Sequence, residues 1–354
     1  MRKYYTRACN FYYGKLAEKL IKLNKALPLN GKKNLAFDNV EILTRQRTKT
    51  KSILIYFKDV NKLPIKIKKV VKKDLKKVIT KRKNFINGIN FSKTSIMGIL
   101  NLTPDSFSDG GEFNSKNKSL KHISQMIKSG ADIIDVGGES TRPGSQTISP
   151  DREWKRIEFV VKNFKKKFKS SQLSLDSRKS EVMIKGIKFG VDLINDVSGF
   201  NYDKNSLFKL KKYSIAKVLH HMQGTPTNMQ NNPRYKNVLL DIFDFFENNL
   251  NKKLKNQKVI IDPGIGFGKT LKHNLNLISN ISLFHSLGFP ILIGTSRKRF
   301  IKDISGEYDS KDRTGGTLAS VIFLLSQGVQ VFRVHNVREV KQGIMIFKKI
   351  LFNK

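Results

Sequence analysis

The sequence predicts an α/β protein, a (β/α)8 TIM barrel with a small basic N-terminal α+β extension. Two observations lead to this fold class. From residue 93 onward, eight short apolar runs alternate with segments of helical periodicity, which is the pattern of the βα units of a parallel barrel. Nearly every apolar run ends in a polar, hydrogen-bonding side chain, as expected where the carboxyl ends of barrel strands form a functional face.

Residues 1–92 are predicted to be a basic N-terminal accessory region of unknown role. The spacing of their apolar residues predicts two helices and two short strands, followed by a linker. The helices are expected at residues 11–27 and 64–79, the strands at 37–43 and 52–57, and the linker at 81–90. This region carries no catalytic motif, so an accessory structural module is the favoured interpretation.

Residues 93–354 are predicted to be the catalytic barrel. The strands are expected at residues 95–100, 133–136, 173–175, 193–195, 216–219, 259–261, 291–293 and 331–334. The helices are expected at residues 117–129, 151–168, 180–189, 206–212, 235–255, 273–286, 313–327 and 337–351. A doubly wound open sheet is the alternative, but no G-x-G-x-x-G segment follows the first strand.

The formal charge of +40 is concentrated near the N-terminus. Residues 1–92 hold 25 Lys and Arg against 5 Asp and Glu, whereas the remaining residues hold 43 against 23. Such a surface is typical of proteins that bind nucleic acid or anionic membranes. Lys, Asn and Ile are abundant throughout the chain, however, which favours a general compositional bias. Nucleic acid is therefore not an expected partner, although it stays open for the extension.

Composition also excludes several classes of protein. The single cysteine, Cys9, excludes a disulfide framework and a metal site made of cysteines, and it favours a reducing, cytoplasmic compartment. No uncharged apolar window of about 18 residues is present, so no membrane span is expected. The N-terminus lacks the apolar core of a secretory signal.

Two kinds of polar group follow the predicted strands. The first kind suits a flat, nitrogen-rich heterocycle, because a carboxylate pairs with an N–C–N edge as it does with guanidinium. Its members are Asp176, Asn195, Asp262 and Lys298. The second kind suits an anion such as pyrophosphate, with Mg²⁺ bound through an amide oxygen. Its members are Asn101, Thr141, Arg333 and His335.

Some of the polar residues near the strand ends have a structural role as an alternative to a role in the site. Asp196 is expected to cap the following helix, and His220 and His221 are expected to be interior residues. His335 is the exception, because it lies two residues from Arg333 and therefore on the same face of its strand.

A long polar loop, rich in Pro, Asp, Ser and Gly, follows the first strand at residues 101–111. It is longer than a strand-to-helix connection needs, so it is predicted to be a functional lid. The lid residues from Thr103 onward are expected to order only when substrates are bound.

Seven segments, taken in order, resemble the dihydropteroate synthases of folate biosynthesis. They are G-I-L-N-L-T-P-D-S-F-S-D-G-G (98–111), D-V-G-G-E-S-T-R-P-G (135–144), I-N-D-V-S-G (194–199), H-M-Q-G-T-P (221–226), D-P-G-I-G-F-G-K (262–269), G-T-S-R-K (294–298) and R-V-H (333–335). The resemblance covers the barrel and leaves the extension out. Two departures are Ser177-Arg178 after Asp176, where the family often has Thr-Tyr, and Asn336 in place of a common Asp.

The resemblance implies that a dihydropterin pyrophosphate condenses with p-aminobenzoate, by dissociative loss of pyrophosphate. It implies catalytic roles for Asp105, Lys298, Arg333 and His335. The pterin would be held by Asp176, Asn195, Asp262, Lys298, Phe267 and Met222. Pyrophosphate would be held by Thr141, Arg333 and His335, p-aminobenzoate by Phe107, Arg142, Pro143 and Ser296, and Mg²⁺ by Asn101.

The resemblance further implies sensitivity of the p-aminobenzoate site to sulfonamides and a homodimeric assembly. Two alternatives stay open at this point. One is a pterin-dependent methyltransferase, which shares the barrel and the pterin-binding carboxylates. The other is a catalytically inactive barrel with an RNA-binding extension.

Overall fold

The computed structural model describes residues 2–46, 49–103 and 116–352. Within these residues, two sheets organise the chain. The N-terminal part forms a four-stranded antiparallel sheet, and the following part forms an eight-stranded parallel sheet with helices between its strands. The predicted fold class, a (β/α)8 barrel with an α+β extension, is confirmed.

The extension begins with a long strand that the sequence interpretation missed. Its elements are β1 (Tyr4–Tyr13), α1 (Gly14–Lys22), β2 (Leu27–Pro28), β3 (Leu35–Arg45), β4 (Thr50–Tyr56) and α2 (Ile65–Ile79). The helix expected at residues 11–27 is wrong at both ends, because residues 11–13 belong to β1 and α1 ends at Lys22. This strand is rich in Tyr and pairs with β3 from Tyr4↔Thr44 to Tyr13↔Leu35. Cross-strand packing therefore outweighs the helical spacing of its apolar residues.

The barrel strands lie within one residue of their predicted bounds. They are β5 (Ser95–Asn101), β6 (Ile133–Gly137), β7 (Gln172–Asp176), β8 (Leu193–Asp196), β9 (Ala216–His220), β10 (Val259–Asp262), β11 (Leu292–Ile293) and β12 (Val331–Val334). Neighbouring strands follow chain order around the ring, and β12 pairs with both β5 and β11. A parallel bridge between Ile261 and Ile291 joins β10 to the segment that leads into β11.

Outside the region around β11, the helices lie within three residues of their predicted bounds. They are α3 (Lys116–Lys128), α4 (Pro150–Lys167), α5 (Ser180–Lys188), α6 (Ser206–Leu210), α7 (Val238–Lys252), α8 (Leu271–Ser279), α9 (Arg299–Ser305), α10 (Thr314–Ser326) and α11 (Val337–Phe352). The helix expected at residues 273–286 is divided, because α8 ends at Ser279 and a 3₁₀ helix follows at Ile281–Leu287. The short helix α9 was not expected.

The segment interpreted as a linker forms the floor of the barrel. Phe85, Ile86, Ile89 and Phe91 pack against inward-facing residues from the amino-terminal halves of the barrel strands, such as Met97. The linker interpretation of residues 81–90 is therefore wrong for its second half, since these side chains belong to the barrel core. Their burial also closes the end of the barrel opposite the predicted site.

Charged side chains join the extension to the outside of the barrel. Arg45 donates hydrogen bonds to Asp241 (2.6 Å) and Asp244 (2.9 Å) of α7, and the Tyr5 hydroxyl donates to Asp244 (2.8 Å). The Tyr5 ring packs edge-on against Phe243 of the same helix, with the ring centroids 5.3 Å apart. The extension is therefore anchored on α7 by a half-buried set of ion pairs around an aromatic contact.

Among the described residues, no helix has the length and apolar character needed to cross a membrane.

Candidate active site

Strand register brings the predicted site residues to one end of the barrel. Asn101 pairs with Gly137, Gly137 with Asp176, and Asp176 with Asn195. Four neighbouring strands therefore end at the same level, as expected for the catalytic face of such a barrel. This face is called the mouth below, and it comprises the carboxyl ends of β5–β12 and the loops that follow them.

Arg333 lies between two carboxylates at the centre of the mouth. Its Nε donates to Asp135 Oδ2 (2.6 Å) and its Nη2 donates to Asp176 Oδ2 (2.7 Å). Burial lowers the pKa of Arg333, but the two carboxylates outweigh burial and raise it overall. The sequence predicted that Arg333 binds an anion. In the structure, its guanidinium is already hydrogen-bonded to two carboxylates.

Burial dominates the electrostatics of the two carboxyl groups predicted to bind a heterocycle. It raises the pKa of Asp176 to about 7, although Arg333 opposes the shift. It raises the pKa of Asp262 to about 6, against the hydrogen bond from the Gly264 backbone and the charge of Lys298. Buried carboxyl groups whose pKa values are strongly shifted and that lie near cationic side chains are typical of functional sites.

A tight turn after β10 orients Asp262. The Gly264 N–H donates to Asp262 Oδ1 at 2.8 Å, which leaves the second oxygen available to a ligand. Gly264 has a φ of +69°, and a Cβ there would lie 2.0 Å from the His221 carbonyl oxygen. Only glycine fits this turn, so the D-P-G sequence fixes the direction of the carboxylate.

Lys298 and Phe267 form one wall of the mouth. The Lys298 ammonium lies 4.0 Å from the centroid of the Phe267 ring. Burial lowers the pKa of Lys298 to about 8, with Arg333 adding to the shift and Asp262 opposing it. Phe267 also packs in a small apolar cluster with Met222. An aromatic face, a thioether and an ammonium are thus combined beside the carboxylates.

His335 and Ser296 are hydrogen-bonded to each other. The Ser296 Oγ lies 3.0 Å from His335 Nδ1 and accepts from the His335 backbone N–H at 3.2 Å. Burial lowers the pKa of His335 well below its usual range, and the nearby charges of Arg297 and Arg142 add to the shift. The lowered pKa favours the neutral imidazole, whose Nδ1 faces Ser296.

The loop after β6 carries three predicted site residues at the edge of the mouth. Thr141 is half-buried, whereas Arg142 and Pro143 are exposed. The loop contacts the loop after β9 through a hydrogen bond from Gly144 N to Pro226 O (3.0 Å). These residues thus border the site without being fixed in it.

The base of that loop is held by a buried charge network. Glu139 accepts from Arg178 Nη2 and from Lys179 Nζ, both at 2.7 Å, and Lys179 also donates to Glu153 (2.6 Å). Arg178, one of the residues at which this chain departs from the family pattern, therefore belongs to this network. The guanidinium of Arg178 lies 4.3 Å from the centroid of the Tyr202 ring. Asn336, the other departure, accepts from the Arg297 guanidinium.

Asn101 ends β5 at the level of Asp176. No group of three or more His, Cys, Asp or Glu residues within the described ranges could hold a metal ion. A protein-only cage is therefore not formed by those residues, whereas one amide oxygen at the mouth fits Mg²⁺, which binds through few protein ligands together with substrate phosphates. The predicted residues Asp105 and Phe107, like most of the predicted lid, lie outside the described residues.

Two outcomes differ from the sequence interpretation. Asp196 holds a turn rather than the following helix, because its carboxylate accepts from Ser198 N (2.8 Å) and Oγ (2.6 Å) while α6 begins only at Ser206. Asp135 received no role from the sequence, yet it contacts Arg333. A signal was available, since a carboxylate inside a buried apolar strand needs a partner.

Comparisons with known proteins agree with this site. A family model described as pterin binding enzyme matches residues 97–335. Dihydropteroate synthase from Clostridium beijerinckii is 41% identical over 252 residues, covering 70% of this chain and 90% of the relative. The enzyme of that name from Escherichia coli strain K12 is 37% identical over 270 residues, covering 75% of this chain and 95% of the relative.

Solved structures give the same result. Yersinia pestis dihydropteroate synthase, in a complex with a sulfonamide drug, has a TM-score of 0.71 at 36% identity, covering 75% of this chain and 98% of that one. Xanthomonas albilineans dihydropteroate synthase with 4-aminobenzoic acid has a TM-score of 0.69 at 30% identity, and the match covers 74% of this chain and 94% of that one. With the mouth residues in the register described above, this chain belongs to the pterin binding enzymes and, within them, to the dihydropteroate synthases.

Proposed function

We propose that this protein is a transferase of folate biosynthesis that condenses the pyrophosphate ester of 6-hydroxymethyl-7,8-dihydropterin with p-aminobenzoate, giving 7,8-dihydropteroate and pyrophosphate. The observation that carries the proposal is the meeting of Asp176, Asp262, Arg333 and Lys298 at one barrel mouth. Such a mouth offers acceptors to a heterocycle and cations to an anionic leaving group.

The pterin lies among the buried carboxylates in this proposal. Asp176 and Asp262 accept its N–H groups, and Asn195 contributes its amide oxygen, because its Nδ2 is already bonded to Asp135 (3.0 Å). Phe267 and Met222 line the slot for the pterin ring, and Lys298 donates to a ring oxygen or nitrogen.

The pyrophosphate lies against Arg333, His335 and Thr141. Arg333 supplies a planar fork of donors that suits phosphate oxygens, and His335 donates as a neutral imidazole. Mg²⁺, bound through the Asn101 oxygen, would neutralise charge on the leaving anion.

The arylamine binds at the edge of the mouth, between Ser296 and the loop after β6. Arg142 and Pro143 cover it there, together with Phe107, while Asp105 belongs to the catalytic set. Because an arylamine is a poor nucleophile, cleavage of the pterin C–O bond precedes attack. The two carboxylates favour the delocalised pterin cation, and the closed loops exclude the water that would capture it.

The alternatives are less well supported. A pterin-dependent methyltransferase has no need of an anion site, yet Arg333 and His335 lie together at the mouth, and the relatives named above are synthases. An inactive barrel would not be expected to retain buried carboxyl groups such as Asp176 and Asp262 at its mouth, because they lower stability.

Release of pyrophosphate from the purified protein tests the proposal. With the dihydropterin pyrophosphate and Mg²⁺ present, release should occur only when p-aminobenzoate is added, and a sulfonamide should compete with p-aminobenzoate. Release that is absent, or that is independent of p-aminobenzoate, would overturn the proposal.

We extend the proposal to a homodimer in a reducing, cytoplasmic compartment. An apolar cavity of about 800 Å³ lies between α8, α9 and α10. Its rim includes Leu275 (41% exposed), Ile304 (61%) and Phe323 (46%), and exposed patches of this kind mark interaction surfaces. A second copy of the chain is the occupant that the family resemblance favours.

Sedimentation of variants tests this assembly. Phe323→Glu should shift the protein from dimer to monomer, whereas Phe208→Glu, at an exposed site on α6, should leave the sedimentation coefficient unchanged. A wild-type protein that sediments as a monomer at micromolar concentration would exclude the dimer.

A further inference from the structure

Asp135 occupies an unusual position for a charged residue. It lies inside β6 between the buried residues Ile134 and Val136, and it has no exposed surface. Its Oδ1 accepts from Ser174 Oγ (2.5 Å). Its Oδ2 accepts from both Asn195 Nδ2 (3.0 Å) and Arg333 Nε. One oxygen thus joins two residues of the mouth that belong to different strands.

The contact with Asn195 determines the orientation of an amide. Because Asp135 is an acceptor only, it selects the Nδ2 end of Asn195. The Oδ1 end is then directed away from Asp135 and can accept an N–H from a ligand. Without the carboxylate, a half-turn of the amide would present donors to a ligand that itself carries donors.

The contact with Arg333 determines the position of a guanidinium. Its Nε is bonded to Asp135, while Nη2 reaches Asp176. The hydrogen bond at Nε restricts rotation of the Arg333 guanidinium. The orientation of its plane, and thus of the Nη donors that would bind an anion, is therefore fixed.

We propose that Asp135 is a positioning residue, which orients Asn195 toward the pterin and Arg333 toward the pyrophosphate through one carboxylate oxygen. The inference rests on the proposed function and deepens it. It predicts that a single substitution, at a residue assigned to neither subsite, weakens both subsites together.

A purely structural role predicts a different outcome, and the chain offers a matched control. Asp132 lies just before the same strand, and its Oδ2 accepts from the Ile96 backbone N–H (2.8 Å) at the opposite end of the barrel. It has no hydrogen bond to a residue of the mouth in the described ranges. Asp132→Asn therefore measures the loss of a carboxylate that supports the contact between β5 and β6 and not the mouth.

Calorimetric titration of the intact protein separates the two roles. Inorganic pyrophosphate with Mg²⁺ probes the anion subsite, and the pterin alcohol without its pyrophosphate probes the heterocycle subsite. Asp135→Asn, which keeps the shape and removes the charge, should raise both dissociation constants about tenfold or more. Asp135→Ala should raise them further, and Asp132→Asn should leave both within about twofold.

A second readout does not depend on catalysis or ligands. In the ligand-free protein, the Nε–H of Arg333, assigned by its absence in Arg333→Lys, should exchange slowly with solvent in nuclear magnetic resonance spectra. Exchange should become fast in Asp135→Asn and stay slow in Asp132→Asn. This measurement remains available if Asp135→Ala fails to fold.

The outcomes separate the inference from the proposed function. Wild-type protein that releases no pyrophosphate would refute the function, whatever the exchange experiment shows. Unchanged exchange and unchanged dissociation constants in Asp135→Asn would refute the inference in an active enzyme. Weakening of only one subsite, or an equal effect of Asp132→Asn, would also refute it.

Discussion

The two ends of the barrel are built from opposite kinds of side chain. At the mouth, Asp176 and Asp262 are buried and Lys298 is half-buried, and their pKa values are shifted against ionisation. At the floor, Phe85, Ile86, Ile89 and Phe91 fill the interior without a polar atom in their side chains. The comparison indicates that stability is concentrated at the floor, whereas the mouth keeps destabilising groups because the proposed reaction needs them.

Phe91→Ala should have the largest effect and should change stability alone. The ring is 1% exposed, so its removal leaves a cavity that should lower the free energy of unfolding by about 3–5 kcal/mol. Urea unfolding measures this change, with Phe208→Ala, at a 69% exposed ring, as the control. Turnover below the unfolding transition should be unchanged. A loss of turnover without a loss of stability would contradict the division between the two ends.

Arg333→Ala should lower turnover, and it should also lower stability because Asp135 and Asp176 lose their cationic partner. Loss of the donor that faces the leaving anion should lower kcat by about 10²–10³-fold, the usual cost of removing one preorganised donor. Pyrophosphate release measures kcat, and Arg299→Ala, an exposed arginine nearby, should keep it. Loss of pterin binding, with turnover at saturation unchanged, would place Arg333 with the heterocycle instead of the anion.

Arg45→Ala tests whether the extension supports the barrel. It removes bonds to Asp241 and Asp244, and the side chain is only 11% exposed. The free energy of unfolding should fall by about 1.5–3 kcal/mol. The exposed pair of Lys162 and Glu158 provides the control, because Lys162→Ala should cost less than about 0.5 kcal/mol. Equal effects would show that the extension is attached without contributing stability.

The last prediction is a pH dependence with opposite signs for binding and stability. Asp176 and Asp262 have folded-state pKa values of about 7 and about 6, above the usual value of an unfolded Asp. Affinity for the pterin should fall about tenfold per pH unit for each carboxylate protonated below its pKa, since a protonated carboxyl loses acceptor capacity.

The same raised pKa values mean that the folded protein binds more protons than the unfolded chain between about pH 4 and 7. The contribution of these groups to stability therefore decreases as pH rises through that window. Asp262→Asn should remove part of this slope. Titration calorimetry and urea unfolding between pH 5 and 8 measure the two trends, and parallel trends would contradict the assignment.

The sequence determined the barrel with little ambiguity. Most of the parallel strands are short apolar runs followed by a polar residue. One such run and one helical segment make up each βα unit around the ring. This local pattern was sufficient for strand bounds within one residue and for the family. The polar strand ends were also identified correctly, because a parallel barrel brings all of them to one face.

The sequence was less informative where contacts join distant segments. Residues 11–13 have helical spacing, but pairing with β3 makes them a strand. Phe85 and Ile89 lie in the segment that was interpreted as a linker, and their burial is explained by the open end of the barrel that they fill. Such outcomes depend on partners that lie far away in the chain, which local periodicity does not describe.

Sequence alone therefore determined the fold class, the family and the identity of the groups at the mouth. Tertiary structure alone decided how those groups contact one another. It placed Arg333 on both Asp135 and Asp176, paired His335 with Ser296, and made Asp135 a link between two strands. The physical reason is that hydrogen bonds between buried side chains depend on strand register and distance across the barrel, and neither quantity is encoded in any one segment.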